Sequence, residues 1–286
     1  MFLKDDPLEY IDLEKSWGEL ENVLKSDWPR SIPVYCLIKT RRKWLKKQAE
    51  GNQFKVCCPG GVMKDGIVFF GEKGTSSIYL TIHPLHNDLT KLTDALIRTK
   101  RIDWSQHFNC GLPKNNAAWF KEVILPALGF KLTKDLPTHF YELSKEEALQ
   151  YEIECPSGAY LSTLGAKDVP TIDAVWPQRF EGSPKYLIDT LRLNFGLGLY
   201  SCDHRLMAWV MKYEYGDIGV LQTDQEFKRR GYGSLVTKAL TKMLVQNDDE
   251  IYALVVVGNT ASETMFRCIG FRYAGSYNFI DYEMKA

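Results

Sequence analysis

The sequence has no excess of charge of either sign, since 36 Lys and Arg residues balance 36 Asp and Glu residues. A neutral chain offers no overall attraction for nucleic acid or for an anionic membrane. No apolar stretch approaches the ~20 residues that a membrane-spanning helix needs. We therefore expect no nucleic-acid partner and no membrane span.

The first ten residues also lack the features of a targeting segment, because they carry three acidic residues and no apolar core. The seven cysteines are odd in number and form no Cys-x-x-Cys pair. This usage is typical of free thiols in a reducing compartment. We expect a cytoplasmic protein.

Two histidines, His83 and His86, have a spacing that a metal site could use. A protein site for zinc needs three or four ligands, and no further candidate lies nearby in the sequence. We therefore expect no metal. The basic run at residues 41–47 could contact RNA or an acidic partner, but the neutral net charge favours a solvated helix face.

The first half of the chain alternates helical and strand-like patterns. We predict helices at residues 8–24, 88–99 and 115–128, and strands at 32–38, 56–58, 67–70 and 78–82. The pattern weakens across residues 149–158, where acidic residues are followed by Pro156 and Gly158. This break predicts two lobes, residues 1–150 and 158–286.

The second half predicts helices at 168–180 and 185–194, then three antiparallel strands at 198–202, 205–213 and 217–223. A helix at 234–246, a buried strand at 251–257, a helix ending at Cys268 and a strand at 271–284 follow. Asn259 is placed to cap the last helix. The order predicts an α+β fold, with a mixed, mostly antiparallel sheet flanked by helices.

The turn between the third strand and the helix at 234–246 combines three cations with two glycines. A helix N-terminus presents unpaired N–H groups and partial positive charge, and glycine lets the backbone approach a ligand closely. The turn therefore suits a phosphate group. The alternative is a solvated turn with no binding role, in which Gly231 is needed only for its dihedral angles. The segment consists of Lys228, Arg229, Arg230, Gly231, Tyr232, Gly233 and Ser234.

This segment resembles the [Arg/Gln]-x-x-Gly-x-[Gly/Ala] signature of the GNAT superfamily of acyl-CoA N-acyltransferases, with Lys228 where Arg or Gln is usual. The resemblance implies a GNAT-like fold, with acyl-CoA as co-substrate bound at this turn. It also implies that the last helix, with Asn259 and Ser262, faces the coenzyme. Phe266 falls where many members have the tyrosine that protonates the leaving thiolate.

Most of the chain is similar to the glycine N-acyltransferase-like subfamily, in which a degenerate N-terminal lobe precedes the catalytic one. The similarity rests on residues 102–107 and on the strand pair at 209–217. It allows a mitochondrial location, although no clear transit peptide is present.

The subfamily's catalytic glutamate falls on Asp217, which we take as the general base. The alternative for Asp217 is a non-catalytic turn residue with a solvated carboxylate. The other candidate bases are Asp224, Glu226 and His204. The resemblance implies a backbone N–H donor for the oxyanion at Leu221, Gln222 or Thr223. Glycine as acceptor would need an arginine for its carboxylate, and four are available: Arg179, Arg192, Arg205 and Arg272.

The expected activity is acyl transfer to a small primary amine, glycine or another amino acid among them. A protein or polyamine acetyltransferase, and an acyl-CoA-binding protein without turnover, are the alternatives. The oligomeric state stays open.

Overall fold

The computed structural model describes residues 6–47, 53–73 and 77–284. Side chains at 72, 73, 77, 78, 107 and 108 are outside the description. The chain folds into two compact units. The first holds the described residues up to His139 and from Gly275 onward, and the second is Phe140–Ala274. The division into an N-terminal lobe, residues 1–150, and an acyl-CoA-binding lobe, residues 158–286, stays a prediction.

The first unit is a sheet covered by helices. Its elements, in chain order, are β1 (Leu8–Tyr10), α1 (Trp17–Lys25), α2 (Ile32–Lys46), β2 (Phe54–Pro59), β3 (Ile67–Lys73), β4 (Ser77–His83), α3 (Thr90–Arg98), β5 (His107–Pro113), α4 (Ala117–Trp119), a π-helical turn (Phe120–Ile124), α5 (Leu125–Ala127) and β6 (Phe130–Leu143). The strand order is β1-β2-β3-β4-β5, with β4 and β5 parallel and the other neighbours antiparallel.

Two predictions for this unit are wrong. Residues 32–38 form the start of α2 and not a strand, because Pro33 occupies the first helical turn, where its missing N–H costs nothing. Their continuous apolar run is buried, and periodicity cannot separate a buried helix from a buried strand. The predicted helix at 8–24 is a short strand, β1, followed by α1, because turns held by Asp12 separate the two.

The second unit begins with α6 (Lys145–Leu149), which carries a capping box at Ser144. Its further elements are β7 (Ala159–Thr163), α7 (Val169–Val175), α8 (Ser183–Leu193), β8 (Gly196–Ser201), β9 (Leu206–Lys212), β10 (Ile218–Thr223), α9 (Tyr232–Gln246), β11 (Ile251–Val256) and α10 (Thr260–Cys268). The last strand, β12 (Arg272–Met284), starts in the second unit, and its residues from Gly275 onward belong to the first unit, where they pair antiparallel with β5. The strands β7-β8-β9-β10 form one antiparallel sheet. The meander and the helix after it are confirmed.

The core of the second unit lies between this sheet and α9. Leu240 and Leu244 of α9 are fully buried, as are Leu199, Ala208 and Val210 of the sheet. This packing fixes the start of α9 at the end of β10. The sheet therefore presents the glycine turn at a defined place.

Candidate functional site

The edge strand β10 contains a bulge. Gly219 lies opposite Met211 and Gln222 opposite Trp209, so two residues, Val220 and Leu221, face one residue of β9. Val220 has φ +51°, a conformation that a β-branched residue adopts at a cost of roughly 1–3 kcal/mol. A bulge takes backbone groups out of the ladder and turns them elsewhere. Here it interrupts the pairing of Val220 and Leu221 with β9.

β10 is not hydrogen-bonded to β11, although the two strands lie side by side. β10 is the last strand of its sheet, and β11 belongs to a different one. The edge of β10 that faces β11 therefore presents backbone N–H and C=O groups that no sheet ladder uses. An extended ligand with amide groups can bind there as an added strand would.

The turn after β10 ends in an open helix N-terminus. Arg229 and Gly231 both have positive φ, +61° and +78°. Gly231 is the N-cap of the 15-residue α9, and no side chain caps that end. The first N–H groups of α9 are therefore available to an anion. Lys228, Arg229 and Arg230 are exposed beside them.

Gly233 allows the first turn of α9 to approach β10. A Cβ atom at Gly233 would lie 3.4 Å from the Thr223 hydroxyl oxygen, whereas one at Gly231 would meet nothing within 4 Å. The two glycines thus differ: Gly231 takes a left-handed conformation that favours glycine, whereas Gly233 lies in ordinary contact distance of Thr223. Tyr232, between them, stacks on Phe227 with ring centroids 6.3 Å apart.

Asp217 lies at the other end of β10, in the hairpin that precedes it. Its side chain is buried, and Oδ1 has no hydrogen-bond partner. Burial raises the pKa of Asp217 to about 7; a backbone hydrogen bond opposes this, and the charge of Glu214 adds to it. The nearby buried Lys212 is bound to Asp249, with Nζ and Oδ2 2.6 Å apart. A carboxyl that is half ionised near neutral pH suits a general base.

The three rival bases are engaged elsewhere. Arg205 binds both Asp224 (3.1 Å) and Glu226 (2.6 Å). Asp224 also accepts the backbone N–H of Glu226, which lowers the pKa of its carboxyl together with Arg205. His204 Nδ1 lies 2.6 Å from the Tyr160 hydroxyl. Asp217 is the candidate whose carboxylate retains a free acceptor.

On α10, Asn259 accepts the backbone N–H of Ser262 at 3.2 Å, so the predicted cap is confirmed. Phe266 is only 3% exposed and packs against Phe271 with ring centroids 5.0 Å apart. Its ring therefore belongs to the core of the unit. The roles of Asn259, Ser262 and Phe266 toward a coenzyme stay predictions.

The two histidines of the first unit have separate surroundings. His83 is fully buried and binds Asp27 through Nε2 at 2.7 Å. His86 lies near the surface, in the wall of a cleft. Within the described residues, no cluster of three or more His, Cys, Asp or Glu side chains could hold a metal ion.

Sequence reasoning did not assign an aromatic cluster beside β10, made by Trp176, Phe180, Tyr186 and Tyr213. The four-residue spacing of Trp176 and Phe180 was a signal, but the tyrosines come from distant segments. The bulge at Val220 was also missed, since it depends on the register between two strands.

None of the described helices is both long and apolar enough to cross a membrane. The cytoplasmic location stays a prediction.

The model of the FR47-like protein family matches residues 196–280. This stretch contains β8 to β11, the glycine turn and Asp217. No curated protein matches the sequence.

Several solved structures are similar to this chain. A Drosophila protein solved by a structural genomics consortium has a TM-score of 0.86 and 22% identity, over 98% of this chain and 100% of its own. A GCN5-related N-acetyltransferase from Kribbella flavida has a TM-score of 0.53 and 13% identity, over 85% of this chain and 94% of its own. A tandem GNAT protein from the clavulanic acid biosynthesis pathway has a TM-score of 0.53 and 12% identity, over 96% and 98%.

These similarities confirm the predicted fold class. A fold does not by itself set an activity, which depends on the residues of the site. The chain has the α+β fold of the GNAT acetyltransferases, organised as two tandem lobes.

Proposed function

We propose that this chain is an acyl-CoA-dependent N-acyltransferase that acts on a primary amine. The observation that carries the proposal is the arrangement along β10: a buried carboxyl at Asp217, a bulge at Val220, and an open helix N-terminus at Gly231. These supply a proton acceptor, oxyanion donors and a phosphate cradle on one short strand.

The phosphate cradle fits coenzyme A. Its pyrophosphate would lie at the N–H groups of Tyr232, Gly233 and Ser234, with the exposed cations of residues 228–230 beside them. The pantetheine arm, which contains amides, would lie along the free edge of β10. The acyl group would then reach the bulge.

Asp217 starts the chemistry by accepting a proton from the ammonium form of the substrate, since an amine with a pKa near ~10 arrives protonated. The amine nitrogen then attacks the thioester carbonyl. Because Asp217 is buried and shorter than glutamate, a bridging water would carry the proton to it. Desolvation favours this transfer, because it keeps the pKa of the carboxyl near neutrality.

The bulge stabilises the oxyanion that forms on the carbonyl oxygen. A backbone N–H of Leu221, Gln222 or Thr223 would donate to it, a contact typically worth ~3–4 kcal/mol of barrier. The oxyanion then collapses and the C–S bond breaks. The nitrogen, positively charged once the C–N bond has formed, gives its second proton to water, and the thiolate takes a proton from water, so the products are the amide and the free thiol. No acyl-enzyme is needed, since the nitrogen attacks directly.

We also propose which amines accept the acyl group. Resemblance to the glycine N-acyltransferase-like subfamily favours glycine or another amino acid. Protein and polyamine acceptors have the same reacting group.

Release of free thiol from acetyl-CoA in the presence of amines tests the proposal. We expect release that requires both amine and protein, and that Asp217→Asn lowers by ~10²–10⁴-fold while acetyl-CoA still binds. Equal rates for the wild type and Asp217→Asn would reject Asp217 as the base. Acetyl-CoA binding without release for any amine would reject the transferase.

The phenylalanine at position 266 favours a second candidate, an acyl-CoA-binding protein without turnover. No hydroxyl stands at this position to protonate the thiolate. Tight acetyl-CoA binding, with no thiol release above the background rate for any amine, would identify this case.

A further inference from the structure

The aromatic cluster lies at the end of α7, on α8 and in the hairpin before β10. Trp176 and Tyr186 are parallel, with an interplanar angle of 3° and centroids 6.3 Å apart. Tyr186 contacts Phe180 at 5.6 Å and Tyr213 at 5.9 Å. Trp176 contacts Tyr213 edge-on at 6.3 Å. Four rings from three segments thus form one continuous aromatic surface.

This surface adjoins the proposed base. A Cβ atom at Gly219 would lie 3.1 Å from Tyr213 Cβ and 3.6 Å from Asp217 Oδ2. The carboxylate and the root of the Tyr213 ring therefore flank the same glycine. Val220, the bulge residue, packs against the hydrophobic core cluster that includes Trp176. The rings, the proton acceptor and the bulge are neighbours.

The cluster is only partly covered by the rest of its unit. Trp176 is buried, but Phe180 is 43% exposed, and Tyr186 and Tyr213 are partly exposed. Exposed aromatic area beside a buried carboxylate offers a ligand both apolar contact and a partner for a positive charge. It suits a molecule that has a ring at one end and an ammonium group at the other.

The surroundings do not suit an acceptor that carries a carboxylate. All four candidate arginines are bound to acidic side chains in the same unit: Arg179 to Asp173, Arg192 to Asp189, Arg205 to Asp224 and Glu226, and Arg272 to Glu147. The buried residue next along the hairpin, Glu214, is also acidic. A carboxylate near Asp217 would meet the negative charges of Asp217 and Glu214, and the nearby cation, Lys212, is already paired with Asp249.

Resting on the proposed function, we infer that the acceptor is an aromatic primary amine without a carboxylate, held by the Trp176–Phe180–Tyr186–Tyr213 cluster with its nitrogen toward Asp217. The ring of such an amine packs on the exposed face of Phe180 and the two tyrosines. The cluster is then a specificity surface, and the amino acid acceptors are disfavoured.

The experiment compares kcat/KM for 2-phenylethylamine, glycine and spermidine, with acetyl-CoA as donor. Contact of one aromatic ring with the cluster predicts a preference of about 100-fold for 2-phenylethylamine over glycine. Phe180→Ala should raise KM for 2-phenylethylamine about tenfold, through lost apolar contact, and leave acetyl-CoA binding unchanged.

Tyr273→Ala is the matched control, because Tyr273 is an aromatic residue of similar exposure, 54%, whose ring packs on Tyr141. It should leave the KM for 2-phenylethylamine unchanged. Turnover of glycine or spermidine at an equal or higher kcat/KM overturns this inference alone, as does an unchanged KM in Phe180→Ala. No thiol release with any of the three amines overturns the proposed function itself, and the inference with it.

Discussion

The two units repeat one order of elements but differ where a coenzyme would bind. From β1 to β6, and again from β7 to β12, the chain runs strand, helix, helix, three strands, helix, strand, helical segment, strand, although most of β12 belongs to the first unit. In the first unit, β4 pairs with β5 in parallel, from Ser77 opposite His107 to Thr81 opposite Gly111. In the second unit, the corresponding strands β10 and β11 are not hydrogen-bonded. The ladder in the first unit occupies the edge that the second leaves open.

The strand that precedes the helix differs as well. β3 and β4 keep one register from Ile67 opposite His83 to Lys73 opposite Ser77, whereas the register of β9 and β10 shifts at Val220. Only the second pair turns backbone groups away from its ladder. The first unit thus lacks, within its described residues, both features that would receive a thioester.

The helix N-termini complete the contrast. In the first unit, the N-cap residue of α3 likewise makes no side-chain bond, but Asp88 Oδ1 accepts the N–H and the hydroxyl of Thr90, so a carboxylate lies at that end. In the second unit, α9 begins without a side-chain cap. The fold alone therefore does not make an acyl-CoA site. A bulge, an unpaired strand edge and an open helix end must occur together.

The largest effect is expected at Asp217, the proposed general base. Activity should fall about tenfold per pH unit below pH ~7, because protonation of this carboxyl removes the acceptor. Asp217→Asn should lose ~10³-fold in kcat and abolish this pH dependence. A pH–rate profile from pH 5 to 9 measures both, and an unchanged profile in the variant would contradict the assignment.

Ionisation of the Asp217 carboxyl, which activity requires, should lower the stability of the fold. Its folded pKa lies above the unfolded value of 3.8, so its ionisation destabilises the fold as the pH rises toward and through 7. Asp217→Asn should therefore unfold with more difficulty at pH 8, by up to about 4 kcal/mol, and this advantage should vanish below pH ~4.

Denaturant unfolding at pH 4 and pH 8 measures this difference. Asp224→Asn is the control, since hydrogen bonds from Glu226 and Arg205 lower the pKa of Asp224 and ionisation there stabilises the fold. We expect that variant to be less stable than the wild type at pH 8. A destabilised Asp217→Asn at pH 8 would indicate a structural role for the carboxylate.

The helix end can be blocked directly with Gly231→Asp. The new carboxylate repels phosphate at the N-terminus of α9, and acetyl-CoA affinity should fall by about 100-fold or more. Gly129→Asp in the first unit is matched, because Gly129 has φ +77° and open space around it, as Gly231 does. Equal loss of affinity in both variants would show a general effect of strain.

The smallest effect is expected in the first unit, from Asp88→Ala. Loss of the carboxylate at the start of α3 should lower Tm by roughly 2–4 °C, as loss of a cap does. The variant should bind no additional acetyl-CoA, since the β4–β5 ladder remains. A second equivalent of bound acetyl-CoA in Asp88→Ala would show that the helix end alone decides binding.

The sequence sufficed for features that depend on local chemistry. The glycines at 231 and 233 indicated a turn into α9, which the positive φ of Gly231 confirms, while its role as an anion site stays a prediction. Alternation with short turns indicated the β8–β10 meander. Helix α2 was missed because its apolar start fits a buried strand equally well. The bulge at Val220 and the pKa of Asp217 could not be predicted, because both depend on pairing and burial by residues distant in the chain.

The most direct test of the contrast between the units is the stoichiometry of acetyl-CoA binding to the full chain by titration calorimetry. We predict one equivalent of acetyl-CoA bound per chain, retained in Gly129→Asp and lost in Gly231→Asp. Two equivalents in the wild type, or one that survives Gly231→Asp, would contradict it.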